Sequence, residues 1–103
     1  MDHLLEFEWD WANLRHINHD NASRGIEAIE IESVFKDPFG QIREMNFDEF
    51  RNEQRFKIFG ESFQKRKLIV IFVLTKDNLI RSITAYVCKS KKLLIEYESA
   101  KNQ

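Results

Sequence analysis

From Leu4 to Trp9 the chain alternates apolar and acidic positions, with Leu5, Phe7 and Trp9 on one side and Glu6 and Glu8 on the other. That period of two predicts a half-buried strand. Asp10 follows as a helix N-cap, because its carboxylate can accept backbone N–H bonds from the next turn. Trp9 and Leu14 bracket it as a hydrophobic staple. A helix is expected over about 11–19, broken by His19-Asp20-Asn21-Ala22-Ser23, whose side chains compete for helical backbone bonds. Residues 26–36 fit two periods. Ala28, Ile31 and Phe35 share a helical face with Val34 beside it, while Ile29-Glu30-Ile31-Glu32 alternates like a strand. The length of the segment, set between Gly25 and Pro38, favours a second helix. Asp37-Pro38-Phe39-Gly40 then reads as a turn.

The second half is strand-rich. Gln41–Met45 is a candidate strand and Asn46–Asn52 an exposed hairpin loop or a frayed segment. Arg55–Gly60 sets Arg55, Lys57 and Phe59 against Phe56 and Ile58. Leu68–Leu74 is apolar throughout, which predicts a central strand covered on both faces. A turn at Lys76-Asp77-Asn78 leads into a long strand, Leu79–Val87. Ser90 can cap a final helix with Leu93, Tyr97 and Ala100 on one stripe. Strands joined by short loops pair antiparallel. The expected fold is therefore α+β and one domain over 1–103: an antiparallel sheet of about four strands, two N-terminal helices packed on one face, and a C-terminal helix.

Net charge is −1, but it is unevenly spread. Residues 1–53 hold 5 Lys or Arg against 13 Asp or Glu, and residues 54–103 hold 11 against 4. The basic half can attract phosphate, or the two halves can neutralise each other in the fold. The one cysteine, Cys88, ends an apolar stretch and is read as buried filler. An acidic start and the lack of a long apolar run predict no signal peptide and no membrane span, so a cytoplasmic location is expected. No phosphate-binding glycine loop or nucleophile elbow is present. His16 and His19 lie three apart, but Asp20 alone does not complete a metal site, so no metal or cofactor is expected.

RNA cleavage without a metal needs a base for the 2′-hydroxyl, an acid for the leaving 5′-oxygen, and cations around the phosphorane. The basic half offers Arg55, Lys57, Lys65, Arg66, Lys67, Arg81, Tyr86 and the lysines near 89–92. Lys65-Arg66-Lys67 also fits a solvated loop, and Tyr86 also fits a strand-end core cap. Strict alternation puts Arg81, Ile83, Ala85 and Val87 on one face and Ile80, Ser82, Thr84 and Tyr86 on the other. The polar Ser82, Thr84, Tyr86 face is then the one that opens on a groove. Arg81 and Tyr86 share a cleft only if a bulge intervenes, and the alternative role of Arg81 is to hold a neighbouring carboxylate rather than a phosphate.

Phe7-Glu8-Trp9-Asp10 with Asn13, Arg24-Gly25-Ile26, Val34-Phe35-Lys36-Asp37-Pro38, Glu53-Gln54-Arg55-Phe56 with Gly60, and Ile80-Arg81-Ser82-Ile83-Thr84-Ala85 occur in order along the chain. This ordered set resembles the BrnT toxins. The resemblance implies a RelE-like fold, metal-independent ribonuclease activity that inhibits translation and growth, and neutralisation by a BrnA-like antitoxin. A dimer or a heterotetramer with the antitoxin is the assembly it suggests. Arg55 and Arg81 match the family's charged positions, and Tyr86 and His16 complete the candidate catalytic set. Lys57, Lys65, Arg66 and Lys67 are the candidate RNA-binding residues. Ser23-Arg24-Gly25 replaces the family's Lys-His-Gly, and Thr84-Ala85-Tyr86 replaces Ser-Ala-Arg. Those departures keep open a catalytically weak homologue acting as a protein-binding or operon-regulatory module. A small nucleic-acid binder is a third reading.

Overall fold

A computed structural model of the chain describes residues 6–9 and 25–102. Helix α1 (Ala28–Val34) precedes strands β1 (Gln41–Glu44), β2 (Phe56–Glu61), β3 (Lys67–Leu74) and β4 (Ile80–Val87), and helix α2 (Lys91–Lys101) follows them. The strands form one antiparallel sheet in the order β1-β2-β3-β4. This is the expected α+β meander. The expected helix over 11–19, and with it the pair of N-terminal helices, lies outside the described residues.

Two layers cover the sheet. On one face Ile58, Leu68, Val70, Phe72, Ile80 and Ala85 pack with Ile26, Ile31 and Val34 of the α1 segment. On the other, Phe59 and Ile69 pack under Tyr97, Leu93 and Leu94 of α2, with Cys88 buried among them as filler. Successive residues of β3 therefore serve different cores, and its unbroken apolar run follows from that. At the start of the described chain, Phe7 bridges Ile80 in parallel, and Phe7 and Trp9 pack against the α1-side core. The predicted alternation at Phe7 and Trp9 appears as that packing. Rings then step from Phe7 to Phe35 at 5.0 Å, from Phe35 to Phe72 at 5.0 Å, and from Phe72 to Phe56 at 5.5 Å. The aromatics thus tie the N-terminal segment at Phe7 to the end of α1 and both to the sheet centre, at spacings typical of favourable ring pairs.

Helix α1 stops where the sequence places its turn, and Asp37 is the reason the turn is fixed. Its Oδ1 accepts the Phe39 N–H at 3.0 Å. Its Oδ2 accepts the Glu61 N–H at 2.7 Å and the Tyr97 hydroxyl at 2.7 Å. One carboxylate therefore joins the α1 exit, the end of β2 and α2. Burial raises its pKa, but the bonds from Glu61, Tyr97 and Phe39 outweigh that and hold it below the usual carboxylate value. The Tyr97 hydroxyl is pushed well above its usual value by burial and by the adjacent Asp37, so it stays protonated and donating. Gly60 permits this junction: a Cβ there would stand 3.1 Å from Asp37 Oδ2 and 3.2 Å from Val34 Cγ1.

A second buried anchor lies at the β2–β3 hairpin. Glu30 is 1% exposed, and its Oε2 accepts from Ser62 Oγ at 2.6 Å and Arg66 Nε at 2.9 Å. Arg66 Nη2 donates to Glu30 Oε1 and also to the Gly25 carbonyl at 2.5 Å. Burial again opposes the charge, and the Arg66 and Ser62 contacts overcome it, leaving Glu30 below its ordinary pKa.

The register of β4 departs from strict alternation. Ile71 pairs Thr84, but the next residue, Phe72, pairs Ser82, so Ile83 is an extra residue in β4. This bulge flips the parity of the strand. Ile80, Ser82, Ala85 and Val87 line up with Leu74, Phe72, Val70 and Leu68, while Arg81, Thr84 and Tyr86 line up with Val73, Ile71 and Ile69. The expected polar face is corrected accordingly. Ser82 is buried on the α1 side at 1% exposure, and Thr84 and Tyr86 share the α2 side with Arg81.

Candidate functional site

Helix α2 covers only part of its sheet face. The register places Gln41, Phe59, Ile69 and Tyr86 in one row across the four strands, and Arg43, Lys57, Ile71 and Thr84 in the next. Val73 and Arg81 continue beyond them, with Arg55 immediately before β2. The helix lies over the Phe59–Ile69 row, and the rows with the cations extend past it. Neighbouring strands are about 4.8 Å apart, so β2 to β4 spans roughly 10 Å of basic, half-open sheet.

At the helix edge this surface deepens into a groove of about 770 Å³ lined by Lys57, Ile69, Tyr86, Val87, Lys89, Ser90 and Leu93. Each wall has a local cause. The bulge aims Tyr86 to this side. Ser90 caps α2, its Oγ accepting the Leu93 N–H at 3.3 Å, which starts the helix directly beside the end of β4. Leu93 then faces Ile69 and closes the apolar side. The result is an apolar floor with two ammonium groups and two hydroxyls at its rim. Among the described residues neither Lys57 nor Lys89 has a carboxylate within ion-pair distance. Such a pocket suits a ligand with a planar or apolar part and an anionic part.

The remaining sequence candidates divide by how firmly each cation is held. Arg81 Nη1 meets Glu8 Oε1 at 2.7 Å, with side chains 38% and 35% exposed. Arg55 Nη2 meets Glu53 Oε1 at 3.4 Å, and its Nε is buried with no partner among the described residues. Surface pairs contribute about 0–1 kcal/mol each, and these two are partly buried. Arg66 differs, because releasing it strands the buried Glu30. Its guanidinium holds the α1 side of the fold rather than facing the groove. Lys65 is exposed with a left-handed backbone (φ 66), in the β2–β3 hairpin. Lys67 reaches Glu61 at 3.0 Å and sits 5.1 Å from the centre of the Tyr97 ring, beneath α2. The Lys65-Arg66-Lys67 triplet therefore scatters over three environments. His16 lies outside the described residues.

One cation escaped the sequence reading, and the bulge it named only as a condition is present. Arg43 joins the cationic row and pairs with Glu96 of α2 at 2.5 Å. The bulge has a signal in hindsight: the small and apolar positions of β4 change parity around Ile83. Among the described residues no three His, Cys, Asp or Glu side chains cluster as a metal site. No described helix is long and apolar enough to cross a membrane. No family model matches the chain, and no curated protein matches it.

Proposed function

We propose that this chain is a cytoplasmic ribonuclease toxin of the BrnT kind, cutting RNA in the α2 groove and neutralised by an antitoxin protein. The observation that supports it best is the β4 bulge, which gathers Tyr86, Arg81 and Lys57 on one open face beside Lys89. In this reading a ribose-phosphate lies along the groove, with Lys57 and Lys89 on the scissile phosphate. The 2′-hydroxyl gives its proton to a base and attacks phosphorus, forming a 2′,3′-cyclic phosphate. The 5′-oxygen leaves and takes a proton from the Tyr86 hydroxyl. His16 is the chain's candidate base. Arg81 and Arg55 turn from Glu8 and Glu53 to the flanking phosphates. Losing one cation at the phosphorane is expected to lower the rate by about 10²–10³.

The test is induced expression with growth and total RNA followed over time, beside purified protein on RNA. Wild type should arrest growth and degrade RNA. Lys57→Ala with Lys89→Ala, and Tyr86→Phe, should do neither while remaining folded. The ion pairs of Arg81 and Arg55 favour a second reading, an inactive binding module. Normal growth and intact RNA with folded wild-type protein would select it.

A further inference from the structure

The β1–β2 connection displays an aromatic side chain that touches nothing in its own copy. Phe50 is 99% exposed and Phe47 is 48% exposed. The loop that carries them is nevertheless well fixed. Asp48 and Glu53 exchange two backbone hydrogen bonds, at 2.8 and 3.1 Å. The Asp48 carboxylate accepts the Arg51 N–H at 3.1 Å and pairs with its guanidinium at 3.1 Å. Asn52 adopts the left-handed turn conformation at φ 52. An exposed aromatic on a pre-ordered hairpin has the character of a docking anchor, since little entropy is lost when it binds.

The charge around the tip identifies what it suits. Glu44, Asp48, Glu49 and Glu53 surround the two Phe residues, against Arg51 and Arg55. Among the described residues Glu44 and Glu49 have no cationic partner. That acidity disfavours nucleic acid, because each phosphate brought to the tip meets like charge. The complementary surface is on the same molecule. The α2 groove has apolar walls at Ile69, Val87 and Leu93, and two unneutralised cations, Lys57 and Lys89. The groove runs from the start of α2 across to Lys57, and Phe50, at 99% exposure, does not fill the groove of its own copy.

We propose that the Phe50 hairpin of one copy docks into the α2 groove of a second copy, with Glu49 and Glu44 facing Lys57 and Lys89. A twofold arrangement makes the exchange reciprocal and closes the assembly as a dimer. If the proposed function holds, this dimer is self-blocked, and dilution or RNA opens the groove.

Sedimentation equilibrium over a wide concentration range tests this on the intact chain, using wild type, Phe50→Ser, and Lys57→Glu with Lys89→Glu. Far-ultraviolet dichroism checks that each variant is folded. Wild type should rise from monomer toward dimer mass, and added salt should weaken it. Either variant alone should dissociate at least tenfold more readily. An equal mixture of the two should recover association, because one intact hairpin then meets one intact groove. Wild type that stays monomeric at every concentration overturns the proposal. So does a groove variant that dimerises normally while Phe50→Ser does not, which would mean hairpin against hairpin. The measurement needs no RNA: dimerisation through the groove with no cleavage even at dilutions where the chain is monomeric would sink only the ribonuclease reading, and cleavage by a chain that is monomeric at every concentration only the dimer.

Discussion

Arg66→Ala separates a structural cation from a functional one. As an RNA contact, Arg66 would lower cleavage and leave stability alone. Its geometry predicts the reverse. The substitution removes both guanidinium bonds to Glu30 and leaves a carboxylate, 1% exposed, with only the Ser62 hydroxyl. Taking one partner from a buried ion pair costs about 3–5 kcal/mol. A domain of this size has about 5–15 kcal/mol in total. The loss should appear in urea unfolding, followed by tryptophan fluorescence with Trp9 as a core reporter, as a lower midpoint with an unchanged slope. In thermal unfolding it is worth at least about 12 °C, at roughly 4 °C or more per kcal/mol.

The pH dependence makes the assignment specific. In wild type, Glu30 titrates below its ordinary value, so its stabilisation is present above the unfolded carboxylate pKa near 4.3 and is lost as pH falls through the folded value. Without Arg66, burial dominates and the folded pKa rises above the unfolded one. The variant then carries its penalty at neutral pH and sheds it by taking up a proton. The deficit should therefore shrink between pH 7 and pH 4. Glu30→Leu combined with Arg66→Met should recover most of the loss, because an apolar pair replaces a buried ionic one at little cost. A deficit below about 1 kcal/mol at pH 7, or one that does not change with pH, would refute the reasoning.

Gly60→Ala should destabilise by about 1–3 kcal/mol in the same urea assay, because its Cβ meets Asp37 Oδ2 at 3.1 Å and Val34 Cγ1 at 3.2 Å. Tyr97→Phe should cost about 1.5–3 kcal/mol, the worth of a hydrogen bond to a charged group. It should also move the acid-unfolding midpoint to higher pH, since Asp37 loses one of the bonds that depress its pKa; dichroism against pH reads this shift. Lys57→Ala should lower RNA cleavage by about 10²–10³ with thermal stability close to wild type, measured by gel-based cleavage and calorimetry.

The elements of this fold were legible because each has a strong local signal. The run Leu68–Leu74 demands cover on both faces and has it over most of its length, from the α1 segment on one side and, at Ile69, from α2 on the other, while Leu74 at its end is 47% exposed. Ser90 caps α2 as its position suggests, and Asp37-Pro38 ends α1. The groove was less legible, for a reason that lies in β4. A single extra residue at Ile83 reverses which side chains meet, and alternation carried through it sends Ser82 to solvent and parts Arg81 from Tyr86. Local pattern reads a strand's period well but does not count residues against a partner strand. The Lys65-Arg66-Lys67 cluster misled differently: adjacency in sequence suggests one patch, while a tight hairpin turns consecutive side chains to solvent, to a buried glutamate and to an aromatic ring.

The charge asymmetry shows how the two possibilities raised by the sequence combine. Part of the opposition between the halves is neutralised internally, as Glu30 meets Arg66 and Glu8 meets Arg81 across 36 and 73 residues of chain, while Arg43 meets Glu96 across 53 in the opposite sense. These pairs do not contribute equally. The first is buried and fixes the fold, while the other two lie at the open face. Among the described residues the charges outside any ion pair include Lys57 and Lys89 at the groove and Glu44 and Glu49 at the Phe50 hairpin. Net charge near zero is therefore compatible with a site that attracts phosphate and with a hairpin that repels it. The two residual patches are complementary to each other, so the same electrostatics that admit a substrate also favour a second copy. Which one occupies the groove then depends on protein concentration and ionic strength, two variables an assay can set independently.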